Sequence, residues 1–154
     1  MRKITKTIEI EVSPEKAFAF LLDQEKMNKA AKGFSEFEYT SKGPVGVGTT
    51  MHYVTGSGNS TMEFDSEVIE FERNKKFVSH TIGASKFKGT ASFTLEPTAK
   101  GTKITYSMEY EMPYSVLGKL IDKVSVHKKM EEGISNALEN GKKDQTMKKI
   151  VNSR

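Results

Sequence analysis

One segment near the C-terminus, Tyr114–Asn140, is the only long part of the sequence with a sustained helical repeat. Its apolar residues recur at steps of three and four, which is typical of one buried face of a helix. Apart from one short helical patch, the chain before it alternates with a period of two, which predicts strands. We therefore predict that a curved sheet wraps around this helix and that the space between the sheet and the helix is the functional site. The apolar residues of the repeat are Leu117, Leu120, Ile121, Val124, Ile134 and Leu138.

Seven segments with the period-two pattern are predicted as strands joined by short turns. The clearest are Lys86–Glu96 and the strand that begins at Thr102, because each puts apolar residues on one face and polar residues on the other. Such one-sided burial is typical of an antiparallel sheet with a solvated outer face. The other predicted strands are Lys3–Val12, Phe34–Thr40, Val47–Thr55, Ser60–Glu72 and Lys76–Ile82.

Two short helices are predicted between the first two strands. Ser13, a favoured N-cap, precedes Pro14 and Glu15, which suit the first turn of a helix over Pro14–Leu22. The second helix is predicted over Lys26–Lys32, with Gly33 as its C-terminal stop. The fold class is therefore α+β, with strands that are antiparallel except where helices intervene.

In the first strand we place Ile4, Ile8, Ile10 and Val12 on one face and Lys6, Glu9 and Glu11 on the other.

Composition excludes several classes of protein. A chain of 154 residues is expected to form one domain, residues 1–154, with a real core. The absence of cysteine excludes disulfides, thiolate metal sites and a cysteine nucleophile, and fits a cytoplasmic location. The N-terminal sequence lacks the apolar run of a signal peptide, and no stretch is apolar enough for stable membrane insertion.

The net charge of +4 belongs to the C-terminal tail, because the remaining residues hold equal numbers of basic and acidic side chains. We predict that this basic tail, about residues 142–154, is a solvated, frayed end. A nucleic-acid-binding protein would carry clustered basic residues on its folded body. We therefore predict no nucleic-acid partner.

Four segments carry a resemblance to a known family: SPEKAFAFL, GPVGVGTTMHY, EVIEFERNKKF and FTLEPTAKGTKITYSMEY. With these the chain resembles, over about residues 3–142, the SRPBCC or START-like helix-grip superfamily, in its polyketide cyclase/dehydrase-like and birch-pollen-allergen-like branch. The resemblance implies a helix-grip fold, with a seven-stranded curved antiparallel sheet around the long C-terminal helix. It also implies a hydrophobic cavity for lipids, sterols, polyketides or quinones, in which a minority of members catalyse cyclisation or dehydration. Many relatives have a Trp after the second short helix, where this chain offers Phe34 or Phe37.

The inward-facing aromatic and methionine residues could fill a core or line a cavity. We favour a cavity, because one long helix is too narrow to cover a seven-stranded sheet, and Met and Tyr suit a pliable lining. Entry is expected to be gated by the two short helices and the loops near Gly43–Gly48 and Gly83–Ser85. The predicted ligand-binding residues are Phe18, Phe34, Met51, Tyr53, Met62, Phe64, Phe87, Phe93, Tyr106, Met108, Tyr110, Leu120, Val124, His127 and Ile134.

The polar residues that could bind a ligand or a metal have a weaker sequence signal than the apolar ones. His127 and Glu131 lie four residues apart and share a helix face. They could form a polar pair at the cavity mouth. We favour the alternative, in which they are a solvent-exposed pair beside the apolar stripe. His52 and His80 flank the Ser60–Glu72 strand and are interpreted as surface histidines rather than metal ligands. No catalytic residue, metal or cofactor is predicted. In the long helix, Gly133 suggests a bend or a close approach of the helix to the sheet. Gly141 is interpreted as the end of the helix.

Three functions remain open at this point. The first is binding or transport of a small hydrophobic or amphipathic molecule, by a monomer or weak homodimer. The second is a cyclase or dehydratase that uses Tyr106, Tyr110 or His127 for proton transfer. The third is a protein-interaction module with a filled cavity. We rank binding first because the inward positions hold few ionisable groups and the outer face is polar.

Overall fold

The computed structural model describes residues 2–57, 60–85, 87–111 and 123–144. These residues form an α+β fold in which a curved antiparallel sheet of seven strands accompanies two short helices and a long C-terminal one, as predicted. In chain order the elements are β1 (Arg2–Ile10), α1 (Pro14–Leu22), α2 (Gln24–Ala30), β2 (Ser35–Tyr39), β3 (Thr50–Ser57), β4 (Ser60–Glu72), β5 (Lys76–Ile82), β6 (Lys88–Pro97), β7 (Thr102–Glu111) and α3 (Lys123–Lys143).

The sheet order is β1-β7-β6-β5-β4-β3-β2, so the strands next to each other in sequence are neighbours except for β1 and β2. β1 pairs with β7, with Ile8 opposite Ile104, and lies at the edge farthest from β2. The two short helices therefore carry the chain from one edge of the sheet to the other. Alternation along each strand sends one set of side chains to the concave face, where the helices cover them.

The first strand differs from the prediction in the position of Lys6. Residues two apart in a strand share a face, so Lys6 lies on the concave side with Ile4 and Ile8, opposite Tyr106 of β7. Placing Lys6 on the outer face was wrong. Its Nζ atom lies 3.9 Å from a carboxylate oxygen of Glu131 on α3.

Side-chain caps set the bounds of the short helices. Ser13 Oγ accepts a hydrogen bond from the backbone N–H of Lys16, as an N-cap does. Asp23 ends α1 and caps α2, accepting from the N–H of Lys26 at 2.9 Å. The second helix therefore begins at Gln24, two residues before the prediction. It ends at Ala30, and Gly33 lies in the turn beyond it with φ +87°.

A β-bulge between Val68 and Glu70 changes which residues of β4 face inward. The extra residue, Ile69, is 39% exposed, while Val68 is buried. The shift turns Phe71 onto the concave side, where its ring lies 5.4 Å from the ring of Phe18 on α1.

The described part of the long helix, Lys123–Lys143, ends three residues beyond the predicted Asn140. Gly141 therefore lies inside the last turn and is not the helix end. Asn140 donates from Nδ2 to the carbonyl oxygen of Ala30 at 2.9 Å, which ties α3 to α2. Residues 114–122 and 145–154 lie outside the described residues, and with them the start of the predicted helix and most of the basic tail. None of the described helices is long and apolar enough to cross a membrane.

Candidate functional site

Two adjoining cavities occupy the space between the concave face of the sheet and the helices. The first, of about 130 Å³, reaches toward α1 and α2 and is called the helical compartment. The second, of about 90 Å³, lies over β3–β7 and is called the sheet compartment. The residues that line both, and so separate one from the other, are Phe34, Ser35, Tyr53, Phe77, Phe93, Tyr106 and Ile134.

Aromatic side chains form a continuous row across the concave face. The rings of Phe37, Tyr53, Phe64 and Phe87 follow one another with centroids 5.3, 5.2 and 4.7 Å apart. The row arises from strand register, because Phe37 lies opposite Tyr53 and Tyr53 opposite Phe64. Offset stacking at these distances is favourable, so the row is a stable wall for both compartments.

Apart from the Tyr106 hydroxyl, which also lines the second compartment, the polar side chains of the helical compartment are engaged in hydrogen bonds with the protein. Tyr39 donates from its hydroxyl to the carbonyl oxygen of Leu22 at 2.6 Å, and burial, with the Asp23 carboxylate adding to it, raises the pKa of Tyr39 to about 12. Asn28 binds both backbone groups of Phe37, at 2.8 and 2.9 Å. What this compartment offers a guest is therefore an apolar surface and the Tyr106 hydroxyl that it shares with the sheet compartment.

The sheet compartment differs because three hydroxyls of its inward-facing residues have no hydrogen-bond partner among the described residues. They belong to Ser66, Ser79 and Tyr106, which are only 3%, 7% and 9% exposed. Burial, together with the nearby phenol of Tyr53, raises the pKa of Tyr106, so its hydroxyl keeps its proton. Among the described residues no side-chain N or O atom is both buried and without a partner, so these three hydroxyl oxygens are accessible and are suited to a ligand or to water.

A polar cluster joins α3 to the β1 edge of the sheet. The Tyr110 hydroxyl and His127 Nδ1 lie 2.8 Å apart, with their rings stacked at 5.9 Å. Burial raises the pKa of Tyr110, against an opposing effect of the Arg2 guanidinium. His127 and Glu131 were expected to be a solvent-exposed pair. His127 contacts Tyr110 of the sheet, whereas Glu131 lies 3.9 Å from Lys6 and keeps 42% of its side chain exposed.

Nine of the fifteen predicted ligand-binding residues line the two compartments: Phe34, Met51, Tyr53, Phe64, Phe87, Phe93, Tyr106, Met108 and Ile134. Four others do not border them. Phe18 packs edge-on against Phe71 and Phe77, Met62 packs beside the core, and Tyr110 and His127 belong to the polar cluster. Leu120 and the side chain of Val124 lie outside the described residues.

Several lining residues were not predicted. Among them, Phe77 lies on β5, whose inward face was not assigned, and Ile104 lies on the inward face of β7 but was not singled out. Ser66 was not singled out, because it is a small polar residue that alternates with Phe64 and Val68 on the same face of β4. Ser79 had no sequence signal, because the inward face of β5 was not assigned. Of the two residues proposed to replace the family's Trp, Phe34 lines both compartments and Phe37 only the helical one.

The two strand histidines lie away from the cavities, on the outer face of the sheet. His52 bridges Asp65 and Glu63 through its two ring nitrogens, at 2.8 and 3.0 Å. These hydrogen bonds, the one to Asp65 first, raise the pKa of His52. His80 Nε2 lies 3.7 Å from Glu67. Within the described ranges, no group of three or more His, Asp or Glu side chains could hold a metal ion.

Comparisons with known proteins give a consistent result. A family model described as "Polyketide cyclase / dehydrase and lipid transport" matches residues 1–145. Among solved structures, a protein of Thermus thermophilus has a TM-score of 0.77 at 17% identity, covering 99% of this chain and 100% of that one. The comparison with curated proteins finds no match.

Two further solved structures show the same fold. The di-domain ARO/CYC protein StfQ of the steffimycin biosynthetic pathway has a TM-score of 0.71 at 14% identity, covering 99% of this chain and 52% of that one. Ara h 8.0201 has a TM-score of 0.65 at 15% identity, with coverage of 92% and 95%. At these identities the likeness concerns the fold alone.

Proposed function

Because this chain belongs to the polyketide cyclase/dehydrase and lipid transport family, we propose that it binds and carries one small hydrophobic or amphipathic molecule between the sheet and α3. The observation that carries the proposal is the pair of adjoining cavities, whose walls are mostly aromatic and aliphatic side chains. Moving apolar surface out of water into such a space is favourable, by about 25 cal/mol for each Å².

The size of the space limits the guest. Ligand pockets usually measure about 300–1,000 Å³, whereas the two compartments measure about 130 and 90 Å³. The guest is therefore compact, unless the walls move apart to admit a longer one. Entry is proposed between α1–α2 and the loops near Gly43–Gly48 and Gly83–Ser85, with Phe34 beside the opening.

Native mass spectrometry of protein purified from its own host tests this proposal. We expect a co-purified mass of a lipid-like or aromatic compound. The variant Ala91→Phe, which places a ring among Ser79, Met108 and the other walls of the sheet compartment, should lose that mass. The control Ser92→Phe, on the opposite face of β6, should keep it. Repeated absence of a guest, with no xenon uptake by the wild type, would refute the proposal.

A cyclase or dehydratase is the second candidate, favoured by the Tyr110–His127 pair, which could pass a proton to an enolisable ketone. This cluster does not border the described compartments, so it ranks second. Incubation with a linear poly-β-ketone should then give a cyclised product that Tyr110→Phe and His127→Gln do not form. An interaction module with a filled interior ranks last, because the interior holds open space.

We also propose that the protein acts in the cytoplasm, as a monomer or weak homodimer and without a nucleic-acid partner. Its charge supports the last point, since residues 1–140 hold equal numbers of basic and acidic side chains. Cell fractionation and analytical ultracentrifugation would test these points.

A further inference from the structure

We propose that two copies of this chain associate through β1, with the two β1 strands paired antiparallel about a two-fold axis at Lys6. The carrier function needs only one chain, so this inference goes beyond it and assigns the surface through which a homodimer forms. It follows from a difference between the two edges of the sheet and from a charge pattern in β1 that is complementary to itself.

The β2 edge of the sheet is covered by α2 and the residue that follows it. Phe34 and Thr40, which flank β2, form backbone hydrogen bonds with β3. Alternation along a strand therefore directs the N–H groups of Ser35, Phe37 and Tyr39 away from β3. Each of these three has a partner, in turn the carbonyl oxygen of Ala31 at 3.0 Å, Asn28 Oδ1 at 2.9 Å and Gln24 Oε1 at 3.0 Å. A strand from another chain would find no free N–H group at this edge.

The β1 edge has no such cover among the described residues. β1 is a strand of nine residues, Arg2–Ile10, and β7 pairs with one of its sides. Within the described ranges, the hydrogen bonds of β1 all go to β7, including those between the side chains of Thr5 and Ser107 and of Thr7 and Thr105. Alternate N–H and C=O groups on the other side are therefore open to the strand of another chain.

The sequence of β1 is complementary to itself when a second copy is turned about Lys6. The opposite pairs are then Lys3 with Glu9, Ile4 with Ile8 and Thr5 with Thr7, and each pair occurs twice. The same kinds of pair already join β1 to β7, where Lys3 lies opposite Glu109, Thr5 opposite Ser107, Thr7 opposite Thr105 and Glu9 opposite Lys103. Opposite charges and paired hydroxyls stabilise neighbouring antiparallel strands. A second β1 therefore matches the free side of β1 as β7 matches the other side.

Three features keep this association weak and closed. The two Lys6 side chains would lie opposite each other at the axis, which opposes pairing, although the Glu131 carboxylate 3.9 Å from each Nζ supplies a counter-charge. Ile4 and Ile8 are already buried, so pairing removes little further apolar surface from water. Because the β2 edge is covered, a pair joined through β1 has no open edge left and stops at two copies.

Reciprocal charge variants test the interface, by analytical ultracentrifugation over a concentration series at low salt. Lys3→Glu and Glu9→Lys each place like charges opposite each other twice across the axis, and each should weaken the dimer at least about tenfold. An equimolar mixture of the two variants should associate nearly as tightly as the wild type, because every such pair then joins a carboxylate to an ammonium group. Lys88→Glu is the matched control, since it faces Glu111 on β7 but lies on β6, away from either edge.

The axis is tested by Lys6→Thr, which removes the like charges that face each other there. This variant should tighten the dimer about three- to fivefold. Melting curves of all the variants show that each is folded before its association is measured.

The contrary outcomes are distinct. A wild type that stays monomeric up to its highest soluble concentration would overturn the proposal. So would a dimer that Lys3→Glu weakens no more than Lys88→Glu does, because the contact would then lie elsewhere. A mixture that does not associate, or a dimer that Lys6→Thr weakens, would overturn the register. None of these results bears on the carrier function, because a co-purified guest is detected equally in the monomer.

Discussion

Tyr39 and Tyr106 show that two tyrosines that line one cavity use their hydroxyls differently. The Tyr39 hydroxyl donates to the carbonyl oxygen of Leu22 at the end of α1, so it helps to hold β2 against the helix. The Tyr106 hydroxyl has no hydrogen-bond partner among the described residues, although the residue is only 9% exposed. Only the first of these hydroxyls is therefore expected to contribute to stability.

Replacing Tyr106 by Phe should leave the free energy of unfolding unchanged or raise it by up to about 1 kcal/mol, because no described hydrogen bond is lost. The same variant should weaken the binding of a guest with a polar head group, because the Tyr106 hydroxyl is expected to orient that group. The control Tyr39→Phe should lower the free energy of unfolding by about 1 kcal/mol. Urea unfolding and calorimetric titration measure the two quantities. If Tyr106→Phe loses stability and binding equally, Tyr106 is a structural residue.

His52 should make stability depend on pH. Its carboxylate partners on β4, Asp65 and Glu63, raise its pKa in the folded state, and Glu38 lies opposite it on β2. A raised folded pKa means that the stabilisation is fully present below the unfolded pKa of about 6.5. It is lost as the pH rises through the higher folded value.

The thermal midpoint of the wild type should therefore exceed that of His52→Gln by more at pH 5.5 than at pH 8.5. Melting curves at both pH values, at low and high salt, give the comparison, and salt should reduce the difference because the site is on the surface. A difference that does not change with pH would show that the histidine does not become charged in this range.

At the scale of elements, α3 packs closely against Phe34 at the position of Gly133. A Cβ atom at Gly133 would overlap the Phe34 ring, so the helix and the residue before β2 fit only without a side chain. The sequence suggested a bend or a close approach to the sheet at this position, and the close contact found is with Phe34, just before β2. Because Phe34 lines both compartments, this contact links helix packing to the shape of the cavity.

Gly133→Ala should lower the free energy of unfolding by about 1–3 kcal/mol, although Ala is the better helix former by about 1 kcal/mol. The cause is displacement of the Phe34 ring. Gly141→Ala is the matched control, because its Cβ would meet the Phe20 ring at 3.3 Å and need only a small shift. Its change in urea unfolding should be clearly smaller. Equal effects in the two variants would mean that Phe34 moves aside freely.

At the scale of the whole molecule, the proposed function predicts that stability depends on a bound guest. A ligand that binds only the folded state at 100 times its Kd adds about 2.7 kcal/mol, which for a domain of this size raises Tm by about 5–10 °C. Protein stripped of its guest by unfolding and refolding on a column should melt lower by a similar amount. Adding back an extract of the original guest should restore Tm. Ala91→Phe, whose cavity is filled, should not respond.

The sequence by itself determined the elements and the fold class. The alternation in Lys86–Glu96 matches the two-residue period of a strand, and the repeat near Ile134 matches the 3.6-residue period of a helix. Local backbone geometry sets both periods. β4 and β5 were predicted with their observed bounds. The resemblance to the family then predicted the helix-grip topology, including the cavity between sheet and helix.

Only the tertiary structure decided which side chains reach that cavity. The bulge at Ile69 reverses the faces of β4, and the pairing of β1 with β7 places Lys6 beside α3. Contacts of this kind join residues far apart in sequence, so no local pattern encodes them. The free hydroxyls of Ser66 and Ser79 are the clearest case, because a serine in a strand has the same sequence pattern whether its partner is protein, water or ligand.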